Sequence, residues 1–271
     1  MNATTSFLTA VVERKRARVA DALSQRPLEQ IRERARQRRR VAKPHVLRTA
    51  LSDESSINVI AEFKKASPSK GDLHHNRTEP RTVALSYERG GATAVSVLTE
   101  EDYFRGSLQD LAEVREAIGL PVLRKDFIVD EYQTYESAAA GADAVLLITA
   151  LLDESTLARL RTIVEVELGM DALVEVHDAA EMATAIAAGA TLIGVNNRSL
   201  HTFDVSLDVS FELANLKPQD TVLVSESGLS TSEQLKRLRA VGFDGFLIGE
   251  TLMRSNDPEA TLRTLISEAE V

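Results

Sequence analysis

The amino-acid sequence predicts an α/β protein built as a TIM (β/α)8 barrel with additional N-terminal helices. Three observations lead there. From about Ile57 onward, short apolar runs rich in β-branched residues alternate with helix-like stretches. Gly90-Gly91, Gly119, Gly141, Gly169, Gly189 and Gly242 follow those stretches, where a left-handed stop is expected before the next strand. Four of the runs end in charged or amide side chains, which puts Glu62, Lys64, Lys125, Glu175 and Asn196 at strand ends. Ionisable groups are costly in an apolar core unless paired or used, so these five point to one shared polar pocket above an apolar sheet.

The elements follow in order. Phe7, Leu8, Val11, Val12, Val19 and Leu23 recur at helical spacing and predict an amphipathic helix from about Ser6 to Leu23. Pro27 is placed to open a second helix through Leu28 and Ile31. The basic run Arg32, Arg34, Arg36, Arg38, Arg39, Arg40 and Lys43 is read as a solvated helix face and the loop after it. A nucleic-acid arm is the alternative, disfavoured by scarce aromatics and a net charge of −9. Strands are then expected near 57–63, 94–98, 121–124, 144–148, 172–176, 192–195, 222–224 and 245–248. Helices are expected between them near 79–89, 108–117, 131–140, 155–168, 179–188, 207–213 and 231–241, with a last one near 258–268.

The pattern Ala140-Gly141-Ala142-Asp143-Ala144 recurs loosely as Ala188-Gly189-Ala190-Thr191-Leu192 and as Val241-Gly242-Phe243-Asp244-Gly245, which marks tandem βα units. An open doubly wound sheet is the runner-up, but its first strand usually leads into Gly-x-Gly-x-x-Gly. Here the first strand leads into Lys65-Ala66-Ser67-Pro68-Ser69-Lys70-Gly71 instead. Residues 1–271 are therefore read as one barrel domain, with residues 1–50 a helical extension packing on it.

Composition narrows the function classes. A hydrophobic content of 44% over 271 residues is ample for a core. The acidic balance disfavours non-specific binding to nucleic acid or anionic lipid while leaving room for a local phosphate pocket. Without cysteine there are no disulfides, thiol nucleophiles or Cys-ligated zinc. No apolar run approaches the ~20 residues that span a bilayer, and Met1 to Ala22 carry no leader-like apolar stretch, so a cytoplasmic protein is expected. His45, His74, His75, His177 and His201 show no metal-ligand spacing, and no metal is expected. His74-His75 reads as an exposed loop pair, and His177 as a neighbour of the pocket without a catalytic role.

In a barrel, the C-terminal strand ends face the catalytic mouth. Glu62 and Lys64, two residues apart, share a face and can hold each other ionised. Lys125, in a dry pocket near other cations, is expected to have a lowered pKa and to donate a proton. Glu175, flanked by Val174 and Val176, is expected to have its pKa raised by desolvation. Asn196 with Arg198 suits hydroxyl and oxyanion recognition, whereas Asn197 reads as structural. Glycine-rich turns after the seventh and eighth strands, Ser225-Glu226-Ser227-Gly228 and Ile248-Gly249-Glu250-Thr251, fit a phosphate site, with Ser67 adding a hydroxyl.

Those residues resemble a known family. Glu62-Phe63-Lys64-Lys65-Ala66-Ser67-Pro68-Ser69-Lys70-Gly71 and Val122-Leu123-Arg124-Lys125-Asp126-Phe127-Ile128 are similar to signatures of indole-3-glycerol-phosphate synthases. So are Leu173-Val174-Glu175-Val176-His177, Ile193-Gly194-Val195-Asn196-Asn197-Arg198 and Val224-Ser225-Glu226-Ser227-Gly228. The resemblance implies a cofactor-free lyase of tryptophan biosynthesis acting on a small phosphorylated substrate, 1-(2-carboxyphenylamino)-1-deoxyribulose 5-phosphate. It further implies Lys125 as general acid and Lys64 as the partner of the departing carboxylate. Glu175 would be the base, assisted by Glu62. Asn196 and Arg198 would orient the sugar-phosphate chain, and Glu226 and Ser227 would line the pocket. Ser67, Gly228, Gly249 and the Glu250 backbone would hold the phosphate, and the N-terminal helices would shield the aromatic ring. Ala66 departs from members that carry a further lysine there. No nucleic-acid or membrane partner is implied, and a monomer or weak homo-oligomer is expected.

Rival readings are a phosphoribosylanthranilate isomerase, which would need a Cys/Asp pair, and a catalytically idle barrel that binds a phosphorylated metabolite. The first fails for want of cysteine. The second predicts neutral replacements at the strand ends, whereas Glu62, Lys64, Lys125 and Glu175 are all present.

Overall fold

A computed structural model of the chain describes residues 3–67, 71–72, 79–200 and 202–270. Pro68, Ser69, Lys70, His74, His75 and His201 lie outside those residues.

Eight parallel strands close into a barrel: β1 (Asn58–Phe63), β2 (Ala94–Leu98), β3 (Val122–Lys125), β4 (Ala144–Ile148), β5 (Asp171–Val176), β6 (Leu192–Asn196), β7 (Val222–Glu226) and β8 (Gly245–Ile248). Each pairs with the next in sequence, and β8 pairs back onto β1 with Asn58 beside Gly245. Side-chain parity then sorts the core. Ile60, Leu123, Leu146, Leu173, Leu192, Val224 and Leu247 fill the barrel interior as one cluster. Val59, Val97, Val145, Val174, Ile193 and Leu223 belong to a second cluster against the surrounding helices. Continuing the interior parity by two residues reaches Glu62 on β1, Lys125 on β3, Glu175 on β5 and Glu226 on β7, and by four residues, past Gly194, Asn196 on β6. The fold thus delivers those heads to one end of the cylinder.

Helices between strands start on local signals. Ser107 accepts from the Asp110 N–H to cap α5 (Leu108–Ala117), and Asp130 with Gln133 forms a capping box on α6 (Glu131–Ala140). Asp153, Asp178 and Thr231 cap α7 (Glu154–Thr162), α8 (Ala179–Ala187) and α10 (Ser232–Ala240) in the same way. Gly141 ends α6 at φ 100°, a backbone geometry that favours glycine.

The N-terminal helices cover both ends of the barrel. Phe7, Leu8 and Val11 of α1 (Ala3–Gln25) join the interior cluster together with Phe127, Tyr103 and Phe104. Leu47 and Leu51 of α3 (Val46–Leu51) join it as well, and Leu51 stands over Gly245 at the start of β8. α2 (Leu28–Arg39) packs along α6. Its basic residues serve docking: Arg36 pairs with Glu167 at 2.9 Å, and Arg39 donates to the carbonyls of Leu168 and Gly169, each at 2.9 Å.

Some elements differ from the expected set. α3 has no side-chain cap of its own; Asp171, at the start of β5, accepts from the Leu47 and Arg48 N–H groups at 2.9 and 3.1 Å. The single helix expected over 155–168 is α7 followed by a π-helical turn, Ile163–Glu167. A short helix, α11 (Glu250–Arg254), follows β8, and Ala66–Ser67 pairs antiparallel with Gly71–Asp72. No helix among the described residues is long and apolar enough to cross a membrane.

Candidate active site

A cavity of about 720 Å³ opens at the C-terminal ends of the strands. Every residue singled out from the sequence lines it: Glu62, Lys64, Ser67 and Lys125, then Glu175, Asn196, Arg198 and Glu226, then Ser227, Gly228, Gly249 and Glu250. His177 does not line it; its side chain lies behind Glu175.

The floor is a cluster of buried charge. Lys64 Nζ donates to Glu62 Oε1 at 2.7 Å. Lys125 Nζ stands 3.1 Å from Glu175 Oε2 and 3.1 Å from Glu226 Oε2. Three carboxylates therefore share two lysines. This reverses two expectations. Lys125 faces carboxylates rather than cations; burial opposes its charge, but Glu175, Glu226 and Glu62 raise its pKa. Burial alone would also raise Glu175, yet Lys125 and then His177 hold it below the usual carboxylate range.

The raised carboxyl is Glu226. Burial, reinforced by repulsion from Glu175 and Glu62 and only partly offset by Lys125, pushes it up to about 7. Its Oε1 meets no hydrogen-bond donor among the described residues, and Oε2 meets only Lys125, which it shares with Glu175. Gly194, facing it from β6, is glycine for a steric reason: a Cβ there would overlap the Glu226 carboxylate. From the sequence Glu226 was legible only as pocket lining, because its proton affinity depends on neighbours from three other strands.

Asn196 accepts from the Arg198 N–H at 3.0 Å, which fixes the loop after β6. Asn197 turns away, as expected, to donate to Ser225 Oγ and the Glu226 and Ser227 carbonyls. Ser227 and Gly228 have φ of 69° and 79°, a left-handed backbone turn at the rim of the cavity that glycine adopts without strain. At Gly249 a Cβ would crowd the Glu62 carboxylate and lie 3.0 Å from Lys64 Nζ. Close packing on that ion pair thus requires glycine there, independently of any ligand. Arg254, one turn after Glu250 and 3.2 Å from it, adds a cation to this side of the cavity. The spacing i, i+4 was its only sequence signal.

The opposite wall is aromatic. Phe7 stacks edge-on with Tyr103 at 4.8 Å and with Phe203 at 5.5 Å, and Phe104 lies 6.4 Å from Phe127. An overall aromatic content of 4% concealed this local concentration. Lys15 of α1, 3% exposed, secures the wall: its Nζ lies 2.7 Å from Asp126 and 2.8 Å from Glu101. Asp126 also accepts from Thr99 and Arg124. Burial pushes its carboxyl up, but Arg124 and Lys15 hold it down to about 2.

The cavity thus has an aromatic wall, a rim carrying Arg198 and Arg254, and a floor of buried glutamates and lysines. The family model described as "Indole-3-glycerol phosphate synthase" matches residues 8–265. A protein of that name from Carboxydothermus hydrogenoformans is 48% identical over 96% of this chain and 100% of its own length. Another from Desulfotalea psychrophila is 50% identical over 80% of this chain and 82% of its own. Among solved structures, 3-hexulose-6-phosphate synthase from Salmonella typhimurium superposes with a TM-score of 0.62. It covers 79% of this chain and 98% of that one at 14% identity, a likeness of fold alone.

Proposed function

The chain belongs to the indole-3-glycerol phosphate synthase family, and from that premise we propose how its pocket closes the indole ring. It is a lyase of tryptophan biosynthesis. It converts 1-(2-carboxyphenylamino)-1-deoxyribulose 5-phosphate to indole-3-glycerol phosphate, CO2 and water.

Lys125 acts as the general acid on the ketone oxygen while the ring carbon bearing the carboxylate attacks the carbonyl carbon. A lysine held protonated by two carboxylates at 3.1 Å is a loaded acid, and the alkoxide forming beside it supplies the driving force. Lys64 binds the substrate carboxylate, which leaves as CO2 once the new C–C bond has formed. The bonding pair it leaves behind restores the aromatic ring. Glu62, at 2.7 Å, keeps Lys64 charged and aimed.

Dehydration then needs a proton on the departing hydroxyl and the loss of one from the adjacent CH2. Lys125, reprotonated after the acid step, gives the hydroxyl its proton; Glu175 takes the carbon-bound proton and returns it to Lys125, and Glu226 shares in these transfers. Asn196 and Arg198 orient the sugar chain, and the Ser227 hydroxyl supports the hydroxyl groups. Ser67 with the backbone of Gly228, Gly249 and Glu250 holds the phosphate. Phe7, Phe104 and Phe127 pack on the anthranilate ring and keep water from the reacting carbons.

The observation that carries this reading is the convergence of Lys125, Glu175 and Glu226 within ion-pair distance at the floor of a cavity with an aromatic wall. We further propose that the enzyme acts in the cytoplasm, without nucleic-acid partners, as a monomer or weak homo-oligomer. The absence of cysteine suits a reducing compartment, and the net charge of −9 disfavours nucleic acid. The test is indole fluorescence developing from the carboxyphenylamino-deoxyribulose phosphate, with Glu175→Gln slowed by about 10² or more at unchanged fold. Full turnover by Glu175→Gln would remove the base from this assignment.

A further inference from the structure

The reaction has a proton deficit that the pocket must make good. The substrate carboxylate leaves as neutral CO2 and its bonding electrons stay with the ring. One proton goes onto the ketone oxygen and a second onto the hydroxyl that departs as water. One returns from the CH2 carbon. Each turnover therefore draws one net proton from solvent. A bound substrate fills the mouth, so entry from behind the floor has a clear use.

Such a route exists. His177 follows β5 two residues after Glu175, so its side chain leaves the strand on the same face but beyond the cavity. Its Nδ1 stands 3.0 Å from Glu181 Oε2, in the first turn of α8. Its Nε2 is buried without a hydrogen-bond partner among the described residues and stands 3.5 Å from Glu175 Oε1. The other Glu175 oxygen is 3.1 Å from Lys125 Nζ. Glu181 has a side chain 21% exposed and so touches solvent. The charged groups around the imidazole are Glu175 on β5, Glu181 on α8 and Glu226 on β7; burial opposes a charge on the ring, yet these carboxylates raise its pKa.

We propose that His177 is the positioning residue that relays solvent protons from Glu181 to Glu175, and through it to Lys125. The relay rests on the reading of Glu175 as the proton acceptor. In one cycle Glu181 gives a proton to Nδ1 while Nε2 gives one to Glu175. Glu175 passes it to the Lys125 amine left neutral by the acid step; proton exchange of the imidazole with solvent then restores its Nε2–H tautomer, and Glu181 takes up the next proton. Nothing is oxidised or reduced.

Steady-state kinetics on the intact protein test this with His177→Asn and Glu181→Gln. His177→Asn should lower kcat roughly tenfold, a decade less than the ~10²-fold loss for a group that transfers the proton itself. KM should stay nearly constant, and the loss should deepen toward alkaline pH, where solvent protons are scarce. Added imidazole should restore the rate. Glu181→Gln keeps an acceptor for the His177 N–H and the local fold, and should show the same alkaline loss more weakly. Wild-type kcat and pH profile in His177→Asn would overturn the relay. So would a loss that imidazole leaves untouched while Glu181→Gln behaves as wild type, since that is a structural effect. If His177→Asn does not fold, Glu181→Gln decides alone: an alkaline loss supports the relay and an unchanged profile overturns it. An active wild type with a fully active Glu175→Gln faults the assignment of the base instead.

Discussion

The two ends of this barrel pair their carboxylates in opposite ways: half-buried Asp143 and Asp244 at one end, buried Glu62, Glu175 and Glu226 at the other. At the N-terminal end Asp143 receives Arg115 at 2.7 Å, Arg39 at 3.2 Å and the Val122 N–H at 3.1 Å. Asp244, its counterpart in the repeated sub-pattern, receives Lys217 and the Leu223 N–H, both at 2.7 Å. Asp143 and Asp244 thus each have a cation and tie their strand to the neighbour before it, while Asp171 is held by the Leu47 and Arg48 N–H groups. At the C-terminal end Glu62, Glu175 and Glu226 share Lys64 and Lys125, and Glu226 has only the Lys125 that Glu175 also uses. The same residue types pair off where donors match acceptors and leave a surplus acid where they do not.

Substitutions at each end should separate those roles. Lys125→Ala should cost at least ~10² in turnover, because it removes the proton donor and leaves two buried carboxylates facing each other; single-turnover assays on folded protein read this directly. Gly194→Ala should destabilise the protein by about 1–3 kcal/mol through overlap with Glu226, measured by urea unfolding, and turnover should fall as that carboxyl is displaced. Asp143→Asn should cost about 2 kcal/mol of stability with unchanged turnover per folded molecule. A loss of turnover in Asp143→Asn larger than its loss of folded protein would erase the distinction between the ends.

Much of this was legible in the sequence, for identifiable reasons. Strand parity is a local property, so runs such as Leu173-Val174-Glu175 disclose both the strand and the residue that reaches the mouth. Asp130, Asp153, Asp178 and Thr231 announce helix starts within their own segments. What stayed hidden depends on distant partners. The cap of α3 comes from Asp171, across the barrel floor. The aromatic wall assembles Phe7, Tyr103, Phe127 and Phe203 from four separate segments. The directions of the Lys125 and Glu175 shifts were misjudged because burial was weighed without the opposite charge beside each. The raised carboxyl fell to Glu226, which shares Lys125 with Glu175 and finds no cation of its own.

That imbalance also has a sign in stability. A carboxyl raised to about 7 in the fold stays protonated where the unfolded chain has already ionised, so the fold loses stability as pH rises from the ordinary value of 4.5 to about 7. Titration of the Glu226 side-chain carboxyl by 13C NMR, assigned by comparison with Glu226→Gln, tests the unequal pairing most directly. The account predicts a midpoint near 7 for Glu226, with Glu175 already ionised well below it. If Glu226 instead titrates together with the ordinary surface carboxylates, the mouth carries no surplus acid and the contrast between the two ends of the barrel fails.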